Sequence, residues 1–384
     1  MNHPELVANA EQIPRMPVER VQPGEEAAIA EMIDALKQQL TERYAKPPML
    51  RDAHPKHHGL VKATFTVDPD RPPELRHGLF KDADRFEALI RYSNGQPVVG
   101  HDLVGDIRGM AIHLTTDRQS LLGDKAHDFI LATGEAFFGT NVTDYQGFPA
   151  ASVSRLKTAA YFLSGFHRLR CGWQLLKAFK RPSSPLVAEY FSQTPYRLGP
   201  HCVKHLVRPA PDRSTRYYPW YLLPLVRQSL GLTATVVGWF SSKAVRRIPG
   251  FNAMRTALEI DLCGKAVALE FLIQRWPDLS TIPEWAIEDA SRVWDLPWTR
   301  VATIVVHQQQ DIASRDRDAE HMNFNVWRAI EEHQPLGGIN RARRAVYLAM
   351  SKFRNEFNGV KWPWVAVASP ADRPAPSSTA ASRA

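Results

Sequence analysis

Strand-like alternation occurs in two groups lying far apart in this chain of 384 residues, and that arrangement most constrains its fold. Residues 59–67, 87–93, 108–115 and 128–133 alternate apolar and polar positions, separated by turn-rich pieces such as NGQP and VDPDRPP. A second group, 258–263, 266–274 and 301–308, shows the same period. Between them lie stretches that read as helix and loop. An amphipathic helix is expected over 25–44, with apolar Ile29, Ile33, Leu36 and Leu40. Another is expected over 341–353, with Asn340 as N-cap and Ala342, Ala345, Ala349 and Phe353 on its apolar side. There is no internal repeat and no linker. The fold class that fits is α+β, a single domain on an antiparallel sheet, closed or nearly so, with helices added. An arm and helix (1–47) precede a main domain (48–358), and a low-complexity tail (359–384) reads as disordered.

The net charge of +8 is unevenly distributed. Residues 145–188 and 213–258 contain no acidic residue, and each segment holds seven Lys or Arg. Both carry aromatics, among them Tyr161, Phe162, Trp173, Tyr217, Tyr218, Trp220 and Trp239. The segregation fits a basic, aromatic surface that meets anionic lipid, although ordinary surface helices bearing scattered basic residues would show the same composition. No nucleic-acid motif accompanies it. Cys171, Cys202 and Cys263 are too few and too irregularly spaced for a disulfide framework or a metal site, which favours a reducing compartment. The N-terminus lacks the apolar run of a signal peptide, and the longest uncharged apolar stretch, 228–242, is too short to span a bilayer. A soluble, cytoplasmic protein with peripheral membrane contact is expected; self-association into a homo-oligomer is left open.

Four pieces carry chemistry. RDAHPKHHG (51–59) places three histidines within five residues, but no Cys or carboxylate completes a zinc pattern. An acid–base histidine suits it better than a metal site, because imidazole titrates near neutrality; read alone, the segment is first of all an exposed loop. In IRYSNG (90–95), alternation puts Arg91 and Ser93 on one strand face. DIRGMAIHL (106–114) is a further strand after an acidic turn. In NRARRAVY (340–347), Arg343 and Tyr347 are four residues apart and share a helix face. A neighbouring guanidinium favours a phenolate, the form in which tyrosine ligates a metal.

In order and content these pieces resemble the haem catalase family. Arg51 and His54 match its distal arginine and histidine, three residues apart before the first barrel strand. Arg91, Tyr92 and Ser93 match its R-[FY]-S strand, and Asp106 to Ile112 match D-x-R-G-[FM]-A-[VI]. Phe137 and Phe138 match a double phenylalanine, and Tyr145 falls where the family stacks a phenylalanine on the haem. Arg343 and Tyr347 match the proximal R-x-x-x-Y. The likeness covers roughly 48–150 and 255–355, and PLGGINRARRAVY is closer to the small catalase-related peroxidases than to the main group.

The resemblance implies a β-barrel enclosing haem b, with Tyr347 as iron ligand and Arg343 stabilising its phenolate. It implies that His54 moves the peroxide proton, that Ser93 holds the imidazole, that Arg51 and Arg91 contact the propionates, and that Tyr145 stacks on the macrocycle. His57 and His58 would take no catalytic part. One departure stands out: the distal asparagine expected five residues before Phe137 is Ala132, with Thr133 beside it. A peroxidase is therefore expected, taking hydrogen peroxide or organic hydroperoxides with an unidentified electron donor. The same resemblance extends to fatty-acid hydroperoxide isomerases of the allene oxide synthase kind. A haem carrier without chemistry fits less well, since a carrier needs no acid–base pair.

Overall fold

The structure, a computed structural model, describes residues 18–152, 155–211, 224–278 and 281–361. Most of the N-terminal arm, the tail beyond 361, and Tyr217, Tyr218 and Trp220 lie outside the described residues, as does the Trp239 side chain.

Among the described residues, nine strands form one antiparallel sheet. They are β1 (His57–Val67), β2 (Arg85–Asn94), β3 (Arg108–Thr115), β4 (Ala126–Ala132), β5 (Tyr190–Phe191), β6 (Tyr196–Leu198), β7 (His201–Pro209), β8 (Val267–Trp276) and β9 (Trp298–Val306). Their order is β5-β4-β3-β2-β1-β9-β8-β7-β6, and pairing of β5 with β7 closes eight of them into a barrel. Closure joins the two strand groups of the sequence: β1 pairs with β2 on one side and β9 on the other, Phe65 lying opposite Phe86 and Ile304.

Alternation sorts the side chains. Val61, Ala63 and Phe65 of β1 point to the barrel interior with Phe129 and Phe271. Leu60 points out, towards Ala319, Met322 and Phe324. The interior is filled: Phe65, Phe129 and Phe271 meet at centroid distances of 4.9–6.0 Å, with His127, His205 and His333 packed around them. Closed packing of this kind is a core, so any large cavity must lie at the barrel's ends or outside its wall.

Among the described residues, seven helices of six residues or more surround the barrel: α1 (Glu25–Arg43), α2 (Arg155–Leu163), α3 (Phe166–Ala178), α4 (Pro224–Phe240), α5 (Ala253–Gly264), α6 (Asp316–His321) and α7 (Gly338–Phe357). The Arg341 guanidinium of α7 locks this layer, donating to Glu25 at 2.6 Å, Glu19 at 2.8 Å and Glu288 at 3.1 Å. Burial within a ring of carboxylates makes that charge a registered clamp between α1 and α7.

Three expectations are corrected. Residues 258–263 are helical: Ala253, Met254, Ala257, Leu258, Asp261 and Leu262 are buried at helical spacing, a period that a six-residue window cannot show. β7 escaped notice because Lys204 and His205 interrupt its apolar run, although both are buried; Lys204 donates to the Arg292 carbonyl at 3.1 Å and lies over Trp294. The last helix begins at Gly338, not after an Asn340 cap. Glu19 and Glu288 accept from the Gly337 and Gly338 amides, each at 2.9 Å, and Asn340 sits inside the first turn bonded to the Pro195 and Leu336 carbonyls.

Candidate functional site

His54 reaches its place through a strained backbone. Its φ of +57° lies in the left-handed region, which a residue with a Cβ adopts only under constraint. The constraint is Arg91, whose Nη2 donates to the His54 carbonyl at 2.9 Å and whose Nε donates to the Ala319 carbonyl at 2.8 Å. Two residues along β2 and on the same face, Ser93 Oγ lies 3.0 Å from His54 Nδ1. That pairing leaves Nε2 as the ring nitrogen for the cavity. Gly109 supplies the room: a Cβ there would stand 2.6 Å from the imidazole and 2.8 Å from Ser93 Oγ. Burial, with the charges of Arg91 and Arg51, pulls the His54 pKa down to about 3, so the ring is neutral at ordinary pH.

A network beneath this edge holds the strand ends. Asn94 donates to Asp102 at 2.8 Å and accepts from Arg108 and His58, while Lys56 Nζ meets Asp102 at 2.8 Å. His57 lies 3.8 Å from Asp316 and faces away from this group of bonds. Among the described residues there is no cluster of three or more His, Cys, Asp or Glu fit to hold a metal. His54 precedes the strand while His57 and His58 point to opposite sides of its first residues, and the reading of the segment as an exposed loop is corrected: Pro55, Lys56, His58 and Gly59 are buried and His54 and His57 half-buried.

The helix α7 presents Ile339, Ala342, Arg343, Val346 and Tyr347 to one cavity of about 1850 Å³, whose wall also holds His54, Ala132, Phe137, Phe138 and Tyr145. The spacing i, i+3, i+4, i+7, i+8 is one helix face. Arg343 donates to Thr194 Oγ1 at 3.0 Å and to Asn340 Oδ1 at 3.4 Å, and lies over the Phe137 ring. Tyr145 packs against Phe137 and stacks on Phe148; burial first, then the nearby Tyr347, keeps it a neutral phenol.

A small lobe of about 120 Å³ adjoins the cavity and is lined by His54, Ser93, Arg51, Arg91, Tyr347 and Arg354. Arg51 donates to the Ala319, Glu320 and Met322 carbonyls at 2.7–3.1 Å, and Arg354 donates to the Glu320 carbonyl at 3.1 Å. Burial lowers all three arginines, Arg354 to about 9, and Arg51 further depresses Arg91 and Arg354. The Nε groups of Arg51 and Arg354 have no hydrogen-bond partner. The Glu320 carboxylate lies 3.7 Å from Arg354 Nε and, with Asp52, offsets part of this charge, so three buried guanidiniums face two carboxylates and could balance a further anion. Arg354 is the residue that sequence reasoning missed; its signal was its position seven residues, two helical turns, beyond Tyr347.

Ala132 offers no donor to the cavity, and Thr133 does not replace one. The Thr133 hydroxyl donates to the Ala178 carbonyl at 2.7 Å and accepts from the Arg108 amide at 2.9 Å, and the residue is fully buried.

No family model matches the chain, and no curated protein is similar to it in sequence. Solved structures are similar in fold. A fungal catalase superposes with a TM-score of 0.63 at 15% identity, covering 83% of this chain and 62% of that one. A bacterial catalase gives 0.59 at 13%, covering 87% and 64%. Catalase A from Saccharomyces cerevisiae gives 0.59 at 15%, covering 90% and 70%. The chain thus has a catalase-like fold, and spans less than two thirds of the first two catalases.

These residues fit a haem. The cavity exceeds the roughly 300–1,000 Å³ of ordinary small-molecule sites. It is walled by aromatics, carries one phenol on a helix and one neutral imidazole on a strand edge, and ends in unsatisfied guanidinium donors suited to carboxylates.

Proposed function

We propose that the chain is a haem b oxidoreductase acting on hydroperoxides, of the peroxidase kind. The observation that carries this reading is one cavity shared by His54 and Tyr347, with Ser93 bonded to the imidazole in the adjoining lobe that both residues also line. Tyr347 would ligate the iron, and Arg343 would favour its phenolate by charge while Thr194 and Asn340 hold the guanidinium in place. Arg51, Arg91 and Arg354 would take the propionates, and Tyr145 would stack on the macrocycle. When bound, the haem supplies the electrons for O–O cleavage. His54 Nε2 takes the proton from the oxygen of the incoming hydroperoxide and returns it to the departing oxygen. Ser93 fixes the ring through Nδ1, and Gly109 leaves the ring its space.

Hemin titration followed by stopped-flow mixing with hydrogen peroxide and with a fatty-acid hydroperoxide tests the whole reading. A chain that takes up no hemin, or that takes it up and reacts with neither, overturns it. Gly109→Ala is the sharper probe. Its Cβ would displace the imidazole, and turnover should drop on the order of 10²-fold with hemin uptake kept; unchanged turnover would remove His54 from the mechanism.

Oxygen evolution from hydrogen peroxide should be weak beside dye oxidation, because Ala132 leaves the cavity without the donor that positions a second peroxide. Losing one such donor costs on the order of 10²–10³ in rate. Both activities measured on one preparation decide it: oxygen evolution far outrunning dye oxidation would refute the expectation.

The size and aromatic lining of the cavity favour a second reading, a fatty-acid hydroperoxide isomerase or dehydratase. Lipid hydroperoxide consumed with no electron donor present would select it over a peroxidase.

A further inference from the structure

Three helices beside the cavity mouth carry apolar stripes that face solvent. On α3, Phe166, Leu169, Trp173 and Leu176 are exposed, Phe166 by 92%, at spacings of three, four and three residues. On α2, Leu156 and Leu163 are exposed two turns apart, and on α4 Leu225, Leu232 and Val236 share one side. The opposite faces are occupied: Tyr161, Phe162 and Cys171 pack together with Phe138 and Phe148 behind α2 and α3. Tyr161 and Phe162 are therefore core residues, contrary to the reading of them as surface aromatics. Leu163, Leu169, Trp173 and Leu176 also line the cavity wall, so the exposed stripes run continuously into it.

Around the stripes, Lys157, Lys177, Lys180, Arg181, Arg246 and Arg247 are exposed and form no ion pair with the described residues. The Lys177 ammonium lies 5.6 Å from the Trp173 ring centroid, a basic group set beside the apolar stripe. A water-facing protein surface rarely leaves so many large apolar side chains uncovered. Acidic side chains, which a protein partner would tolerate and an anionic bilayer would repel, are missing from both segments that build these helices. No helix among the described residues is long and apolar enough to cross a membrane. One-sided stripes with a basic margin suit a helix lying in the plane of the headgroups.

We propose that α2, α3 and α4 form a docking face for an anionic lipid bilayer, placing the cavity mouth against the membrane. The apolar stripes enter the headgroup boundary, the lysines and arginines meet lipid phosphates, and the Trp173 indole lies at the interface. Docking is a property of the folded chain and does not rest on haem or peroxide chemistry.

The test is flotation of the full chain with phosphatidylcholine vesicles, with and without an equal share of phosphatidylglycerol, at low and high salt. Binding is expected on the anionic vesicles at low salt, about tenfold weaker on neutral vesicles or at high salt. Two folded variants, checked by circular dichroism, should lose it: Phe166→Ser with Trp173→Ser, and Lys180→Glu with Arg181→Glu. Absence of flotation with anionic vesicles at low salt overturns the proposal, as does undiminished flotation of both variants. Sedimentation velocity without lipid completes the test; self-association that the Phe166→Ser, Trp173→Ser pair abolishes, with no vesicle binding, would assign the face to a second copy of the chain instead.

Discussion

A Tyr347→Phe chain is expected to lose hemin affinity by on the order of 100-fold or more, since the substitution removes the phenol oxygen that α7 offers to the iron. Phenylalanine fills nearly the same volume, and Tyr347 is only partly buried, so the helix and barrel should stay folded. The measurement is a hemin titration followed at the Soret and charge-transfer bands, beside a thermal melt of both proteins without hemin. Equal affinity with an unchanged charge-transfer band would show that another group holds the iron. Loss of affinity together with a collapsed melt would trace the effect to folding, and the titration would then be repeated with Arg343→Lys. That variant keeps the charge but not the planar group whose Nη1 donates to both Thr194 and Asn340, and should shift the band while retaining binding.

Acid should destabilise this protein at pH values above the ordinary carboxylate range, even though burial raises Asp106 to about 6 and opposes part of the loss. His205 and His333 are fully buried inside the barrel, and burial holds both near a pKa of about 3 against 6.5 for the free side chain; their mutual proximity pushes the His205 value in the same direction. His127 is depressed likewise by burial and by His333. The sign follows from proton counting. Between pH 6.5 and about 3 the unfolded chain binds protons that the folded one refuses, so stability is intact above 6.5 and falls as the pH drops. Each such histidine costs about 1.4 kcal/mol per pH unit, and two cost about 3, against a total of roughly 5–15 kcal/mol. The buried Asp102 and Asp128, whose pKa values are held down by their cationic neighbours against burial, add to the loss only below the ordinary carboxylate range. Urea midpoints measured from pH 7 to pH 5 give the slope. His205→Phe should flatten it by about one histidine's share, whatever it does to absolute stability. A flat profile in the unaltered chain would mean that these rings are solvated.

The parts of the site that rest on short-range geometry were legible beforehand. Period-two alternation placed β1 to β4 within a few residues and set Arg91 and Ser93 on one face, because the pleat determines side-chain direction from position alone. Helical spacing likewise put Arg343 and Tyr347 together. Other features were invisible for stated reasons. Lys204 and His205 made β7 look polar, since a single chain does not reveal that Trp294 and the Arg292 carbonyl receive the ammonium. Arg354 looked like any helix arginine until α6 supplied the carbonyls around it. Thr133 lies beside the place of the missing asparagine in sequence, but its hydroxyl is bonded to the Ala178 carbonyl, which only the packed structure shows.

What the sequence determined by itself was the period of each element, the chemistry of each side chain and the absence of acid from two segments. Tertiary structure decided which of those side chains share a space. Closure of β5 on β7 brought the two strand groups into one barrel, and the Arg341 clamp set α7 against α1 beside it. A histidine before β1, a serine on β2 and a tyrosine in the last helix then border one cavity. Burial, a property of the packed assembly alone, lowered the imidazole of His54 and left guanidinium donors without partners.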